Sequence, residues 1–116
     1  QIASDDGAEG IGLKISKNGG LTKCRKQRDI CLSAGYTMSV QDTTGSDIAF
    51  AAIVHLGQTI PKKYLRCVLD CRDMVAVKTA DGGFEVTNGL VSAPKSFGLG
   101  ITPRLDVLGQ PLISYG

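Results

Sequence analysis

The chain has 116 residues, with 13 Lys and Arg against 11 Asp and Glu, a net charge of +2 and 42% hydrophobic residues. This composition excludes a disordered chain, and the nearly balanced charge argues against a dedicated nucleic-acid binder. No apolar run approaches the roughly 20 residues of a membrane span, and residues 1–10 lack the basic start and apolar middle of a signal peptide. We therefore expect a globular, cytoplasmic protein with one domain and no membrane partner.

Two strand–helix pairs are predicted in the first half of the chain. Over 10–16, isoleucine and leucine alternate with glycine, lysine and serine, which predicts a strand with one apolar face. A helix is expected over 21–34, because apolar residues recur there at helical spacing and Gly35 follows as a left-handed stop. The second pair is a strand over 36–41 and a helix over 47–56.

The second helix carries its own boundary signals, and a third strand follows it. Ser46 is suited to cap the helix at its start and Gly57 to end it. A strand is expected over 65–70. The order strand, helix, strand, helix, strand is typical of right-handed βαβ units, so the predicted fold class is α/β with a parallel sheet.

The last third of the sequence has a different texture. Short β-like pieces at 74–78 and 83–86 lie on either side of a turn at 81–83, and glycine and proline interrupt the remainder. We interpret 73–116 as a small, irregular segment that contains β-structure.

The four cysteines, which include Cys24 and Cys31, form no recognisable zinc motif. No Cys-x-x-Cys pair occurs, and the single histidine, His55, is far from all of them in sequence and is expected to pack or cap. If the chain between Cys67 and Cys71 is extended, their α carbons lie roughly 13 Å apart, which is too far for a disulfide. We expect free, mostly buried thiols in a reducing compartment.

Polar residues stand at or after the predicted end of each strand, which is where sites form in parallel α/β folds. Lys14 is the most informative, since it lies on the small-residue face of its strand and Gly12 beside it leaves room. Two readings stay open: Lys14 reaches solvent, or a pocket holds it for proton transfer. An aspartate alone could instead bind backbone amides at a loop start. The candidate residues are Lys14, Gln41, Asp42, Thr43, Thr44 and Asp70.

Two other patterns do not indicate a functional site. Gly19-Gly20 lacks the spacing of a phosphate-binding P-loop. Basic residues from Lys23 to Arg28 cover the outer surface of a helix without interleaved aromatic residues, which favours a solvated face over a nucleic-acid site.

The run Gly-Leu-Lys-Ile-Ser-Lys-Asn-Gly-Gly-Leu-Thr-Lys over 12–23 resembles the sixth barrel strand and following loop of the mandelate racemase/muconate lactonizing group of the enolase superfamily. Residues 40–47, followed by an alanine-rich helix with His55-Leu56, look like the seventh strand and helix, and 65–70 looks like the eighth strand. Residues 97–101 are similar to the Pro-Gly-Leu-Gly-Ile segment of the returning tail, with Phe97 in place of proline. The nearest branch contains cis-3-hydroxy-L-proline dehydratases and hydroxyproline-betaine epimerases.

The resemblance implies the last three βα units (strands 6–8) of a TIM-type (β/α)7-8 barrel and a β-containing tail. Residues 1–72 would be the C-terminal part of the barrel domain, and 73–116 the final barrel connection and the tail that returns to the capping domain. A complete barrel takes about 250 residues. We therefore expect a truncated or separately encoded C-terminal portion, incomplete as a stand-alone fold.

For chemistry, the resemblance implies removal of the proton α to a carboxylate, with an enediolate held by Mg²⁺ and one lysine on each face of the substrate. Lys14 matches the lysine at the end of the sixth strand. An epimerase would return a proton, and a dehydratase would expel a β-hydroxyl. The second lysine and the acidic Mg²⁺ ligands belong to earlier strands. The implied substrate-binding residues are Gln41, Asp42, Thr43, Thr44 and Asp70. One of the aspartates would pair with a cyclic ammonium of the substrate. Gln41 stands where we expect glutamate in relatives.

The expected partners are a small amino or hydroxy acid, the N-terminal remainder of the enzyme or a partner chain, and further copies in a homo-oligomer. A second hypothesis belongs to another class: a non-catalytic remnant whose only activity is self-association or scaffold binding, driven by exposed sheet edges. An accompanying upstream segment with a Lys-x-Lys strand and spaced acidic residues would favour the enzyme.

Overall fold

A computed structural model of the chain describes residues 4–5, 7–43 and 45–115. Three parallel strands form the main sheet in the order β1-β2-β3, and helices lie in the connections between them. The elements of this part are β1 (Gly10–Lys14), α1 (Ile15–Asn18), α2 (Leu21–Ser33), β2 (Thr37–Gln41), α3 (Asp47–Gln58) and β3 (Leu65–Val68). The predicted α/β class and the alternation of strands and helices are confirmed.

One face of the sheet forms the core. Leu13, Met38 and Val40 are completely buried on this face, since every second strand residue points the same way. Helix α2 packs on them through two buried cysteines, and α3 through a nearly continuous apolar surface. Phe84 and other residues of the C-terminal segment cover the outer side of α3, which explains why this helix is apolar on almost every side.

The opposite face of the sheet, called the open face below, is polar and has small residues. Gly12 and Cys67 are exposed on it, whereas Lys14, Ser39 and Gln41 are half-buried. Because α2 and α3 pack on the core face, the open face presents its side chains along the whole width of the three strands.

Strand β1 is shorter than predicted. The chain turns into the one-turn helix α1 directly after Lys14, although the alternation of apolar and polar residues continues to Ser16. The turn is held by the side-chain amide of Asn18, whose Nδ2 donates to the carbonyl oxygen of Lys14 at 2.7 Å, and by the Gly20 amide, which donates to the Ile15 carbonyl at 3.0 Å.

Helix α3 begins where the sequence predicts but ends later. Ser46 caps the start, where its hydroxyl accepts from the Ala49 amide at 3.1 Å. The prediction that Gly57 ends the helix is wrong, since α3 continues to Gln58. Gly57 is instead buried against β3, where a Cβ would overlap the side chain of Val68.

The segment over 73–116 is irregular and contains β-structure as expected, but the predicted strand positions are wrong. Strand β3 ends at Val68 instead of 70, and 74–78 and 83–86 are not strands. Their place is taken by two strands that are distant in sequence and pair antiparallel. The elements are a 3₁₀ turn (Arg72–Met74), β4 (Ala80–Gly82), β5 (Ile101–Pro103) and α4 (Leu105–Leu108). No described helix is long and apolar enough to cross a membrane.

All four cysteines carry free thiols. Cys24 and Cys31 are buried as expected, but Cys67 is exposed and Cys71 is half-buried, so the expectation of mostly buried thiols holds only for α2. His55 packs, with its ring edge-on to Phe84 and Nε2 lying 3.1 Å from the Leu99 carbonyl oxygen.

Candidate active site at the carboxyl ends of the strands

Lys14 and Gln41 stand side by side at the carboxyl ends of β1 and β2. They are register partners in the parallel ladder, and both side chains belong to the open face. The room beside Lys14 that Gly12 provides is used by Gln41: a Cβ on Gly12 would lie only 2.7 Å from the Gln41 Nε2. The structure therefore brings a primary amine and a carboxamide together at this edge.

Asp42 follows β2 directly and is half-buried. Its Oδ1 accepts hydrogen bonds from the hydroxyl of Ser16 and from the Thr43 amide at 2.7 Å. The Ser16 and Thr43 hydroxyl oxygens lie 3.2 Å apart. The described donors to Asp42 are thus neutral groups, and no described residue donates to its Oδ2. Thr44, also expected here, lies outside the described residues.

Asp70 is placed at the end of β3 but is not a free carboxylate. The Arg72 guanidinium grips it in a bidentate ion pair, with Nη2 2.7 Å from Oδ2 and Nε 2.9 Å from Oδ1. The Arg72 side-chain hydrogen bonds, helped by the backbone amide of the same residue and opposed by partial burial, hold the pKa of Asp70 below its ordinary value. The charge of Asp70 is therefore neutralised within the loop that carries it.

Arg72 is fixed from several sides. Its guanidinium carbon lies 4.1 Å from the centre of the Phe50 ring, a cation–π contact with α3. The hydrogen bonds to Asp70 raise the pKa of Arg72 above its ordinary value. Partial burial opposes this shift, and the negative charges of Asp70, Asp47 and Asp73 add to it. A cleft of about 510 Å³ adjoins this group, lined by Asp47, Arg72 and residues up to Lys78.

The loops after β2 and β3 touch through their backbones. A Cβ on Gly45 would lie 2.6 Å from the Cys71 carbonyl oxygen and 2.8 Å from the Arg72 amide nitrogen, so only glycine permits this approach. Next to it, Asp47 accepts from the Thr79 amide at 2.7 Å and the Ala80 amide at 3.3 Å. Partial burial opposes ionisation of Asp47, but these donors outweigh it and lower its pKa.

Several residues of this edge carry no signal of their role in the sequence. The apolar alternation places Ser16 in the strand, and nothing in the sequence pattern points to Asn18, Gly45 or Arg72 as part of a site. Only the Asn-Gly-Gly breaker gave a signal, because it shows that the chain turns soon after Lys14.

The described residues do not form a metal centre by themselves. No group of three or more His, Cys, Asp or Glu side chains converges among them. The donor set of this part of the chain therefore does not fit a resident divalent cation.

A parallel α/β sheet that gathers an amine, amides and carboxylates at the carboxyl ends of its strands is the arrangement of α/β enzymes. The chain belongs to the enolase C-terminal domain-like family, whose family model matches residues 1–107. The resemblance noted in the sequence is thereby confirmed.

Three relatives illustrate the match. The chain is 41% identical over 112 residues to the cis-3-hydroxy-L-proline dehydratase of Roseibium aggregatum, covering 97% of this chain and 30% of that protein. A protein of the mandelate racemase/muconate lactonizing enzyme type from Aspergillus oryzae is 68% identical, with a TM-score of 0.92 over 98% of this chain and 32% of the other. Another from Roseovarius nubinhibens, in complex with magnesium, is 46% identical with a TM-score of 0.93, over 99% and 32%. The chain thus spans about a third of the length of these relatives.

Proposed function

We propose that this chain is the C-terminal part of an enzyme that removes the proton α to a carboxylate, a lyase or isomerase acting on a hydroxyproline-type or related amino acid. Residues 1–72 supply strands 6–8 of a TIM-type barrel, and 73–116 supply the last connection and the tail. An N-terminal region, covalent or separate, supplies the rest; the two parts together are called the assembled enzyme below. The similarity to a cis-3-hydroxy-L-proline dehydratase supports this substrate class.

The position of Lys14 carries the proposal. It ends β1 on the open face, in register with Gln41 and on the same edge as the Asp42 loop. In the proposed reaction, its Nζ acts as the base and takes the α-proton: the C–H bond breaks, an N–H bond forms, and the electron pair moves into the carboxylate as an enediolate. An epimerase then protonates the other face, whereas a dehydratase loses the β-hydroxyl with its electron pair.

The two aspartates have different proposed roles in substrate binding. Asp42 has only neutral groups as described donors, and no described residue donates to its Oδ2, so it is the residue that we assign to the substrate ammonium. Asp70 is already paired with Arg72 and is assigned to shape the pocket. Gln41 and Thr43 offer neutral hydrogen bonds, and Thr44 is proposed with them from its place in the sequence.

Magnesium belongs, in this proposal, to the N-terminal region, since the described residues gather no donor set for it. The relative that was crystallised with magnesium supports its presence in the family. The second lysine is assigned to the same region.

The test follows the α-hydrogen of cis-3-hydroxy-L-proline in D₂O with Mg²⁺, by NMR or mass spectrometry. In the assembled enzyme, Lys14→Ala should abolish the α-proton exchange, or the elimination, that starts from the substrate face next to Lys14. Lys17→Ala is the matched control, because Lys17 is an exposed lysine three residues away on α1. Equal rates in wild type and Lys14→Ala would contradict the proposal.

A second candidate, a non-catalytic self-associating piece, is favoured by one observation. The segment after β5 exposes large apolar side chains: Leu105, Leu108, Leu112, Ile113 and Tyr115. Light scattering of the native protein separates the two, since a homo-oligomer of the assembled enzyme differs in mass from an assembly of the 12.2 kDa chain alone.

A further inference from the structure

The one-turn helix α1 links two residues of the candidate site. It begins directly after Lys14 and has only four residues. Two of them donate side-chain hydrogen bonds to residues at the strand ends: Ser16 to the Asp42 carboxylate after β2, and Asn18 to the Lys14 carbonyl oxygen at the end of β1.

Ser16 holds the carboxylate of Asp42. Its hydroxyl donates to Oδ1 across the gap between the loops that follow β1 and β2, 26 residues apart in sequence. The Thr43 amide donates to the same oxygen. Two donors on Oδ1 restrain the carboxylate, and no described residue donates to Oδ2.

Asn18 holds the backbone of Lys14. Its Nδ2 donates to the Lys14 carbonyl oxygen at 2.7 Å in a half-buried position and lies 3.8 Å from the Cys24 Sγ, which ties it to α2. The bond fixes the last peptide of β1, from which the Lys14 side chain leaves. Gly19 and Gly20, with φ of 75° and 106°, then turn the chain into α2.

We propose that Ser16 and Asn18 are positioning residues, which together fix Asp42 relative to Lys14. The proposal rests on the proposed function, in which Lys14 moves the α-proton and Asp42 binds the ammonium. If α1 is the shared support, Ser16 affects substrate binding through Asp42, whereas Asn18 affects turnover through Lys14. A hydroxyl that merely stabilised the loop would act on both, and would act whether or not Asp42 is present.

The first arm is a binding cycle in the assembled enzyme, measured by calorimetry with cis-3-hydroxy-L-proline and Mg²⁺. Ser16→Ala should weaken binding roughly tenfold, as expected for loss of a hydrogen bond to a charged group. Ser16→Thr, which keeps the hydroxyl, should bind the substrate as tightly as the wild type. In an Asp42→Ala background, Ser16→Ala should have no further effect. Ser33→Ala is the control, because Ser33 makes an exposed side-chain bond to the Asp29 carbonyl on α2.

The second arm is turnover. Asn18→Asp keeps the size of the side chain but removes the donor, and should lower kcat for α-proton exchange with little change in KM. A circular-dichroism melt of each variant identifies any that fails to fold.

The outcomes separate the two proposals. Binding cycles that are additive, or a folded Ser16→Ala variant that binds like wild type, would overturn the positioning role even if the wild type exchanges the α-proton. A wild type that binds the substrate but shows no exchange would overturn the proposed reaction, and with it the Asn18 arm. Coupled loss in the Ser16–Asp42 cycle, together with a kcat effect for Asn18→Asp, supports the inference.

Discussion

Gly45 is the position where a single methyl group should separate the loops of the site. It is buried and lies against the backbone at Cys71 and Arg72. A Cβ would meet the Cys71 carbonyl oxygen at 2.6 Å, whereas ordinary contacts begin near 3.4 Å. The two loops would therefore have to move apart by at least about 0.8 Å, because the Cys71 carbonyl carbon lies closer still. Neither backbone can rotate away as a flexible side chain could.

The expected cost follows from opposing terms. Overpacking of this kind costs about 1–3 kcal/mol. Replacement of glycine by alanine returns roughly 0.4–1 kcal/mol, by restricting the unfolded chain. At the centre of these two ranges, Gly45→Ala should lower the free energy of unfolding by about 1.3 kcal/mol. With a urea m-value of about 2–3 kcal/mol/M, the unfolding midpoint should then fall by roughly 0.4–0.7 M.

The assay is urea unfolding of the assembled enzyme, followed by circular dichroism. Gly12→Ala is the matched control: its Cβ would meet only the end of the Gln41 side chain, which can move. The control should keep the wild-type midpoint, although displacement of Gln41 should change substrate binding. If Gly45→Ala unfolds at the same urea concentration as Gly12→Ala, the contact between the two loops is not as tight as the structure shows.

Two further predictions concern titratable groups. The hydrogen bonds from Arg72 lower the pKa of Asp70, so their stabilisation is present above the unfolded-state pKa of about 3.9 and is lost as the pH falls through the lower folded-state value. Arg72→Met should therefore have a lower free energy of unfolding than wild type at neutral pH, and this difference should narrow in acid. Because the pair is partly exposed, the narrowing should stay within the roughly 0–1 kcal/mol of a surface ion pair. Equal differences in urea titrations at both pH values would contradict this. Burial raises the thiol pKa of Cys24, despite the Asn18 hydrogen bond, and that of Cys31, so iodoacetamide should modify both only after unfolding, as peptide mass spectrometry would reveal; labelling in the native state would refute their burial.

The βαβ framework could be predicted because its signals are local. Apolar alternation in β1 and β2 and the Ser46 cap are properties of neighbouring residues, and the structure confirms them. Gly57 shows where such reasoning fails. A glycine after an apolar helix predicts a stop, but here the residue serves close packing against Val68, which only the tertiary structure determines.

The candidate site was predictable in part for the same reason. The placement of Lys14 and Asp42 follows from strand ends. The side-chain hydrogen bonds that Ser16 and Asn18 make could not be predicted, because continued alternation hid the turn at Ile15. Pairing of β4 with β5 joins residues about 20 positions apart without a periodic signal.

The two crossovers of the sheet have nearly the same length. Gly10 pairs with Thr37 and Met38 with Leu65, a separation of 27 residues in both cases, and a register shift after Met38 makes the separation 28 residues for Val40 and Val68. Each strand therefore reaches its neighbour by closing a loop of one strand–helix unit, and a loop of this size costs only modest closure entropy, since that cost grows with the logarithm of length. Folding of this sheet can advance one unit at a time in chain order, with each added strand offering the template for the next.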